Sequence, residues 1–357
     1  MNPRPVVTRR GILRQRPASG STRPKIEPGA LLTASRAAMG THFEVRVPAI
    51  APGATDLACR ALDRVEALEE VLTVYRDDSE VSRLNATAHL GPTPVGSDVF
   101  RLLRLASEIG RQTRGAYDVT AGALSLAWGF TRGPKRVPPP AEIAHAMLRT
   151  GMRHLSADAH ARTVQFDAPG VVVNFGSIGK GYAIDEAANV VRDHWWPTPA
   201  LIHSGNSSVF ALGSPDGLLG GPWRIGLRNP FDPSRPLGEI ALRDRGLGTS
   251  GAAFQQFESG GRLYGHILDP RTGEPPEHGP ASVSVLAPTA AEADALSTAF
   301  YLMGPSATSE FLSERPDVGA IFVMDADGHR PPRLVLLNVA DRDFQPDPDV
   351  RLAIASS

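Results

Sequence analysis

The sequence predicts an α+β fold of mixed sheets with packed helices in two lobes. Short strand-like segments, 200-ALIHS-204, 208-SVFAL-212, 223-WRIGL-227, 238-GEIAL-242 and 282-SVSVLA-287, follow one another in meander-like succession. Helical spacing of apolar residues is confined to a few separate stretches. There is no internal repeat and no second composition regime, so the strands and helices belong to one domain.

The globular pattern begins near Ala37. Residues 43-FEVRV-47 alternate like a half-buried strand, and Leu57, Leu62, Val65, Leu68 and Leu72 then keep helical spacing. A second helix is predicted from Ser97 to about Thr113, with Val99, Leu102, Leu103, Ala106 and Ile109 on its apolar face and Gly115 as its stop. The stretch 131-TRGPKRVPPP-140 has the composition of a loop. Strands are predicted at 163-TVQFD-167 and 171-VVVNF-175, followed by a glycine-rich turn and a helix carrying Ile184, Ala187, Ala188, Val191 and Trp195. Helices are expected at about 290–303 and 306–314, and a terminal hairpin at 319-GAIFVMD-325 and 333-RLVLL-337 around the 327-DG-328 turn. The resulting division is a disordered basic leader over 1–34, a folded domain over 35–340 and a C-terminal tail over 341–357.

Composition narrows the function. Hydrophobic residues make up 41% of the 357, ample for a packed core. A formal charge of -1 gives no basic field to gather nucleic acid, so a small-molecule partner is favoured. Cys59 is the single cysteine, which excludes an internal disulfide and a cysteine-rich zinc site. No apolar run reaches the ~20 residues that span a bilayer. The leader carries Arg4, Arg9, Arg10, Arg14, Arg16, Arg23 and Lys25 before its first acid, and 8-TRRGIL-13 has a faint twin-arginine character. The polar residues after it supply no apolar signal segment, so a soluble, cytoplasmic protein is expected, with the compartment open.

Four stretches carry chemistry. In 176-GSIGKG-181 the glycines allow close backbone approach, the amides opening the next helix attract an anion, and Lys180 adds a charge. The spacing matches neither a triphosphate loop nor a Rossmann fingerprint, and a plain strand-to-helix turn reads equally well. In 289-TAAEADALSTAF-300, Asp294 and Thr298 lie one turn apart on one face, with Leu296, Ala299, Phe300 and Met303 as the buried stripe. One carboxylate and one hydroxyl suit magnesium, which keeps phosphate or water oxygens in its other positions; a solvated helix face presents the same pair. In 249-TSGAAFQQFESGGRLYGHILDPRTGEP-275, His266 titrates in the range of general acid–base work and stands near Tyr264, Asp269, Arg271 and Thr272. In 115-GAYDVTAGALSLAWGF-130, Tyr117, Asp118, Thr120 and Trp128 suit a planar heterocycle, or an aromatic core with a capping aspartate. No G-x-S-x-G elbow occurs.

Together with 39-MGT-41, 75-YRDDSEVSRLN-85 and 248-GTSG-251, these stretches resemble the ApbE family of flavin transferases from about Ala37 to Gly304. The resemblance implies an ApbE-like, T-fold-like architecture and an enzyme that cleaves FAD with Mg²⁺ and attaches FMN by a phosphoester bond to a Thr or Ser of an acceptor protein, releasing AMP. It implies Met39, Tyr75, Ala116, Tyr117, Asp118, Asn174, Lys180 and His266 around FAD, His266 as proton acceptor, and Asp294, Thr298 and the carbonyl of Ser177 as metal ligands. Asn174 stands where the family usually has Asp, 252-AAF-254 replaces a more polar run, and 203-HSGNSSVFALG-213 varies a glycine-rich segment. An FAD pyrophosphatase and a non-catalytic FAD carrier are the alternatives. The first would release free FMN and AMP, and the second would leave FAD intact.

Overall fold

The structure, a computed structural model, describes residues 29–215, 220–251, 255–324 and 332–354. Its frame is a nine-stranded sheet whose spatial order follows the chain: Leu31–Ala38, Thr41–Pro48, Ala200–Ser204, Ser208–Leu212, Arg245–Ser250, Ser282–Ala287, Gly319–Met324, Arg333–Leu337 and Arg351–Ile354. Neighbours pair antiparallel except the last two, which are parallel.

The period of two decides what each face of this sheet meets. From the sixth and seventh strands, Val283, Val285, Ala320 and Phe322 enter the main core, while Leu286, Ile321 and Val323 enter a second core on the other face. Three long helices cover the first face: α1 (Ala54–Leu72), α6 (Gly179–Arg192) and α7 (Ala290–Ser313), with α6 between the other two. The second face is covered by a three-stranded sheet, ordered Phe344–Pro346, Gly238–Leu242, Trp223–Leu227. Between α1 and α6 the chain forms α2 (Glu80–Thr87), α3 (Ser97–Gln112), α4 (Gly122–Ala127) and α5 (Pro140–Met147), with a small sheet of Thr93–Pro94, Thr163–Phe166 and Leu155–Asp158. Helices α4 and α5 and the hairpin Gln256–Ser259/Arg262–Gly265 share a satellite core around Trp128, Leu124 and Leu268.

Several expectations change on contact with the structure. Val171, Val173 and Phe175 are buried, but among the described residues the run 171-VVVNF-175 joins no ladder beyond one parallel bridge, Ala121 to Val172. The Asn85 side chain takes the place of a neighbouring strand: its Nδ2 donates to the Val173 carbonyl at 2.9 Å and its Oδ1 accepts the Val173 amide at 2.8 Å. Helix α6 stops at Arg192, so Trp195 lies beyond it and is exposed. Helix α5 opens on Pro140, a residue suited to a first helical position because it lacks the amide that would be orphaned there. The sheet starts at Leu31, inside the span read as leader, and two strands lie within the span read as tail. The 327-DG-328 turn, 252-AAF-254 and residues 1–28 lie outside the described residues.

Candidate active site

Met39, Tyr75, Ala116, Tyr117, Asp118, Asn174, Ser177, Lys180, His266, Asp294 and Thr298 all line one cavity of about 850 Å³, within the usual size range of ligand pockets. The cavity lies where the start of α6, the first turns of α7 and the hinge of the first hairpin meet the satellite core.

Its base is the contact between α6 and α7. In the first turn of α7 Ala290, Ala291 and Ala293 are buried and Glu292 is half-buried, and Asp294 follows at 6% exposed rather than on a solvated face. Gly181 permits the approach of α6 to α7, and Gly246 and Gly248, on the strand Arg245–Ser250, let the sheet come equally close to α7. A Cβ on Gly181 would stand 2.2 Å from the Ala290 carbonyl oxygen, and Cβ atoms on Gly246 and Gly248 would stand 2.5 and 2.4 Å from Ala290 N and Ala293 C. The small residues of α7 are therefore a requirement of close backbone packing. Past Gly304, whose φ of 71° breaks the helix, the chain turns into a second helical segment.

Asp294 Oδ2 accepts the Gly181 amide at 2.8 Å, and Oδ1 accepts the Ser208 hydroxyl at 2.6 Å. The anion held by the opening amides of α6 thus includes one of the protein's own carboxylates. Burial pushes the Asp294 pKa up, and Lys180, Ser208 and Gly181 oppose that shift. Among the described residues no lysine or arginine forms an ion pair with it. A buried carboxylate with spare lone pairs and no contacting cation is a costly arrangement that a bound cation relieves. Thr298, half-buried, adds a hydroxyl that meets Ser250 Oγ at 3.2 Å. The Ser177 hydroxyl donates to the buried Tyr117 hydroxyl at 3.3 Å. Carboxylate, hydroxyl and carbonyl are hard oxygen donors, so the set fits magnesium.

His266 lines the same cavity. Its Nδ1 is 3.1 Å from the Gln255 carbonyl. A carbonyl only accepts, so Nδ1 carries the proton and Nε2 keeps its lone pair. Burial, with Lys180 and Lys135, lowers the His266 pKa below the usual value, which keeps the ring neutral near pH 7. Phe130 meets the ring edge-on at 6.4 Å between centroids.

The remaining predicted residues divide by what they touch. Tyr75 is 66% exposed at the cavity rim, free to stack, whereas Tyr117 is 2% exposed and serves mainly as floor. Asp118 is engaged by the chain: Oδ1 accepts the Thr120 amide and hydroxyl, and Oδ2 accepts the Met152 amide. Asn174 Oδ1 accepts the Gly176 amide at 2.8 Å, shaping the glycine turn. Met39 has φ 50° in the two-residue hairpin turn with Gly40, and its amide donates to Glu69 Oε1 at 2.6 Å, which holds this uncommon conformation at the cavity wall. Asp269 and Arg271 pair bidentately at 2.9 and 2.7 Å within their own turn and lie outside the cavity lining. Trp128 is buried in the satellite core and donates Nε1–H to the Gly273 carbonyl at 2.9 Å, so it is core rather than stacking platform.

Residues 39–322 match the ApbE family. The chain belongs to that family. It is 32% identical over 296 residues to the FAD:protein FMN transferase of Salmonella typhimurium, spanning 81% of this chain and 83% of that one. It is 33% identical over 301 residues to the Treponema pallidum protein of the same name, spanning 80% and 82%. The flavinyl transferase ApbE of Pseudomonas stutzeri superimposes with a TM-score of 0.73 at 30% identity, covering 83% of this chain and 92% of that one. The Thermotoga maritima ApbE protein superimposes with a TM-score of 0.76 at 27% identity, covering 82% and 94%. The architecture is that of the ApbE flavin transferases, and the chain is a transferase of this family. Among the described residues no helix is long and apolar enough to cross a membrane.

Sequence reasoning gave no role to Ser208, Ser250, Ser297 or Glu69. The first three lie in or beside stretches that carry the family pattern, but their contacts with α7 join residues at least 47 positions apart, except the local bond of Ser297 Oγ to the Asp294 carbonyl. Glu69 reads as one more solvated position on α1.

Proposed function

We propose that this chain transfers FMN from FAD to a Thr or Ser hydroxyl of an acceptor protein and releases AMP. The observation that carries the reading is the convergence, in one cavity, of an imidazole with a free Nε2 and an oxygen donor set built around the buried Asp294 carboxylate.

The acceptor oxygen attacks the FMN-side phosphorus, the bond to the bridging oxygen breaks, and AMP leaves with that oxygen. His266 Nε2 accepts the acceptor's hydroxyl proton, a task open to a ring that stays neutral near pH 7. Lys180, at the start of α6, places a positive charge where the pyrophosphate gains charge. Tyr75 offers its exposed ring to a planar heterocycle, while Met39, Ala116, Tyr117, Asp118 and Asn174 shape the pocket around the nucleotide. Asp294, Thr298 and the Ser177 carbonyl would hold Mg²⁺, which supplies charge neutralisation on the pyrophosphate.

The test is an Asp294→Asn variant incubated with FAD across a Mg²⁺ series. Loss of the metal-supported rate is expected, and a rate and metal dependence equal to the parent's would remove the metal site.

A further inference from the structure

Asp185 lies in α6, half-buried against α7 and outside the cavity lining. Its Oδ1 accepts the Ala290 amide and its Oδ2 the Ala291 amide, both at 2.8 Å. The Thr289 hydroxyl accepts the Glu292 amide at 3.1 Å, and the Thr289 carbonyl accepts the Ala293 amide at 3.1 Å. A helix leaves its first amides without intrahelical partners. Here the Ala290, Ala291 and Glu292 amides are satisfied, two of them by Asp185, and the Ala293 amide makes the first intrahelical bond, to the Thr289 carbonyl.

The two helices are therefore clasped at matching intervals. Gly181 and Asp185, one turn apart on α6, meet Asp294 and Ala290, one turn apart on α7, with the donor on α6 in the first contact and on α7 in the second. Because the Gly181 contact leaves no room for a Cβ, the helices have little freedom to slide, and the Asp185 bonds fix the remaining rotation and fraying of the first turn. Asp294 follows that turn directly. Burying a second carboxylate is unfavourable by itself: burial, opposed by the two amides, pushes the Asp185 pKa up to about 7. Fixing a geometry is one use of such a group, and the two bonds to the Ala290 and Ala291 amides supply that geometry here.

We propose that Asp185 is the positioning residue of the metal site, holding the first turn of α7 so that Asp294 and Thr298 face the cavity together. It touches neither FAD nor metal, and the proposal rests on the reading of Asp294 and Thr298 as ligands.

The test compares the parent with Asp185→Asn, which keeps size but offers one acceptor to two amides. Mg²⁺ alone is titrated while melting temperature is followed, and FAD affinity without metal is measured by flavin fluorescence. The expected result is a rise of tenfold or more in the Mg²⁺ concentration giving half-maximal stabilisation, in the range seen when the groups orienting metal ligands are removed. FAD affinity should be unchanged, since Asp185 lies outside the cavity lining. An unchanged Mg²⁺ response in Asp185→Asn beside a clear one in the parent overturns the role of Asp185 alone. No Mg²⁺ response in the parent removes the metal site, and this role with it. Should Asp185→Asn fail to fold, Asp185→Ser, which retains an oxygen acceptor and relieves the donor–donor clash, carries the same comparison.

Discussion

Gly181 donates its amide hydrogen to Asp294 across the α6–α7 contact at 2.8 Å, and the same glycine leaves no space for a side chain against Ala290. One backbone position thus sets both how closely the helices pack and where the buried carboxylate points.

Gly181→Ala places a Cβ 2.2 Å from the Ala290 carbonyl oxygen, a backbone atom that cannot rotate away. A loss of about 3 kcal/mol or more is expected in urea unfolding. Gly221→Ala, where a Cβ meets nothing within 4 Å, should stay within about 0.5 kcal/mol and serves as the control.

Asp294→Asn keeps the shape of the side chain but removes its charge and turns an amide group toward one of its two donors. The Mg²⁺-supported transfer rate should fall roughly a hundredfold or more, with the melting temperature in EDTA much less affected. Transfer assays across a Mg²⁺ series, with and without EDTA, measure both.

The pH profile of transfer reports on His266. Its folded pKa lies below 6.5, so the neutral base persists as pH falls through that value and is lost only on protonation at lower pH. The acid limb of kcat/KM should therefore fall below pH 6.5, and His266→Gln should cost about 10²- to 10⁴-fold and abolish that limb. A limb at or above 6.5 in the parent would contradict the burial argument.

Asn85→Leu fills a similar volume but leaves the buried Val173 amide and carbonyl without the Asn85 side chain. A loss of about 2–4 kcal/mol is expected, since each unsatisfied group costs about 1–3 kcal/mol. Chemical denaturation with circular dichroism detects it.

The strands of the meander were legible because each alternates or runs apolar between turn residues, but their sheet was not: 200–204, 208–212 and 282–287 keep chain order in the nine-stranded sheet, while 223–227 and 238–242 pair with each other in the second sheet. The run 171–175 misled for the same reason. A continuous apolar stretch reads alike whether its backbone pairs with a strand or with a side chain such as Asn85, and periodicity carries no trace of the partner. Asp294 and Thr298 were visible as an i, i+4 pair, but the same pair suits a solvated face. Its burial depends on Gly181, Gly246 and Gly248, whose fit against α7 is a long-range property. Asp185 carries no signal of its role in the sequence, since its partners lie more than 100 residues away. Trp128 and Asp118 looked suited to a ligand, yet their polar atoms are taken up by Gly273, Thr120 and Met152.

The most direct test of the central claim is mass spectrometry of the purified protein incubated with FAD, Mg²⁺ and a candidate acceptor domain. The account predicts that the acceptor gains the mass of one FMN residue on a Thr or Ser, with AMP released in equal amount. Free FMN and AMP with no labelling of any acceptor tried would point to hydrolysis instead, and FAD left unaltered would contradict the account.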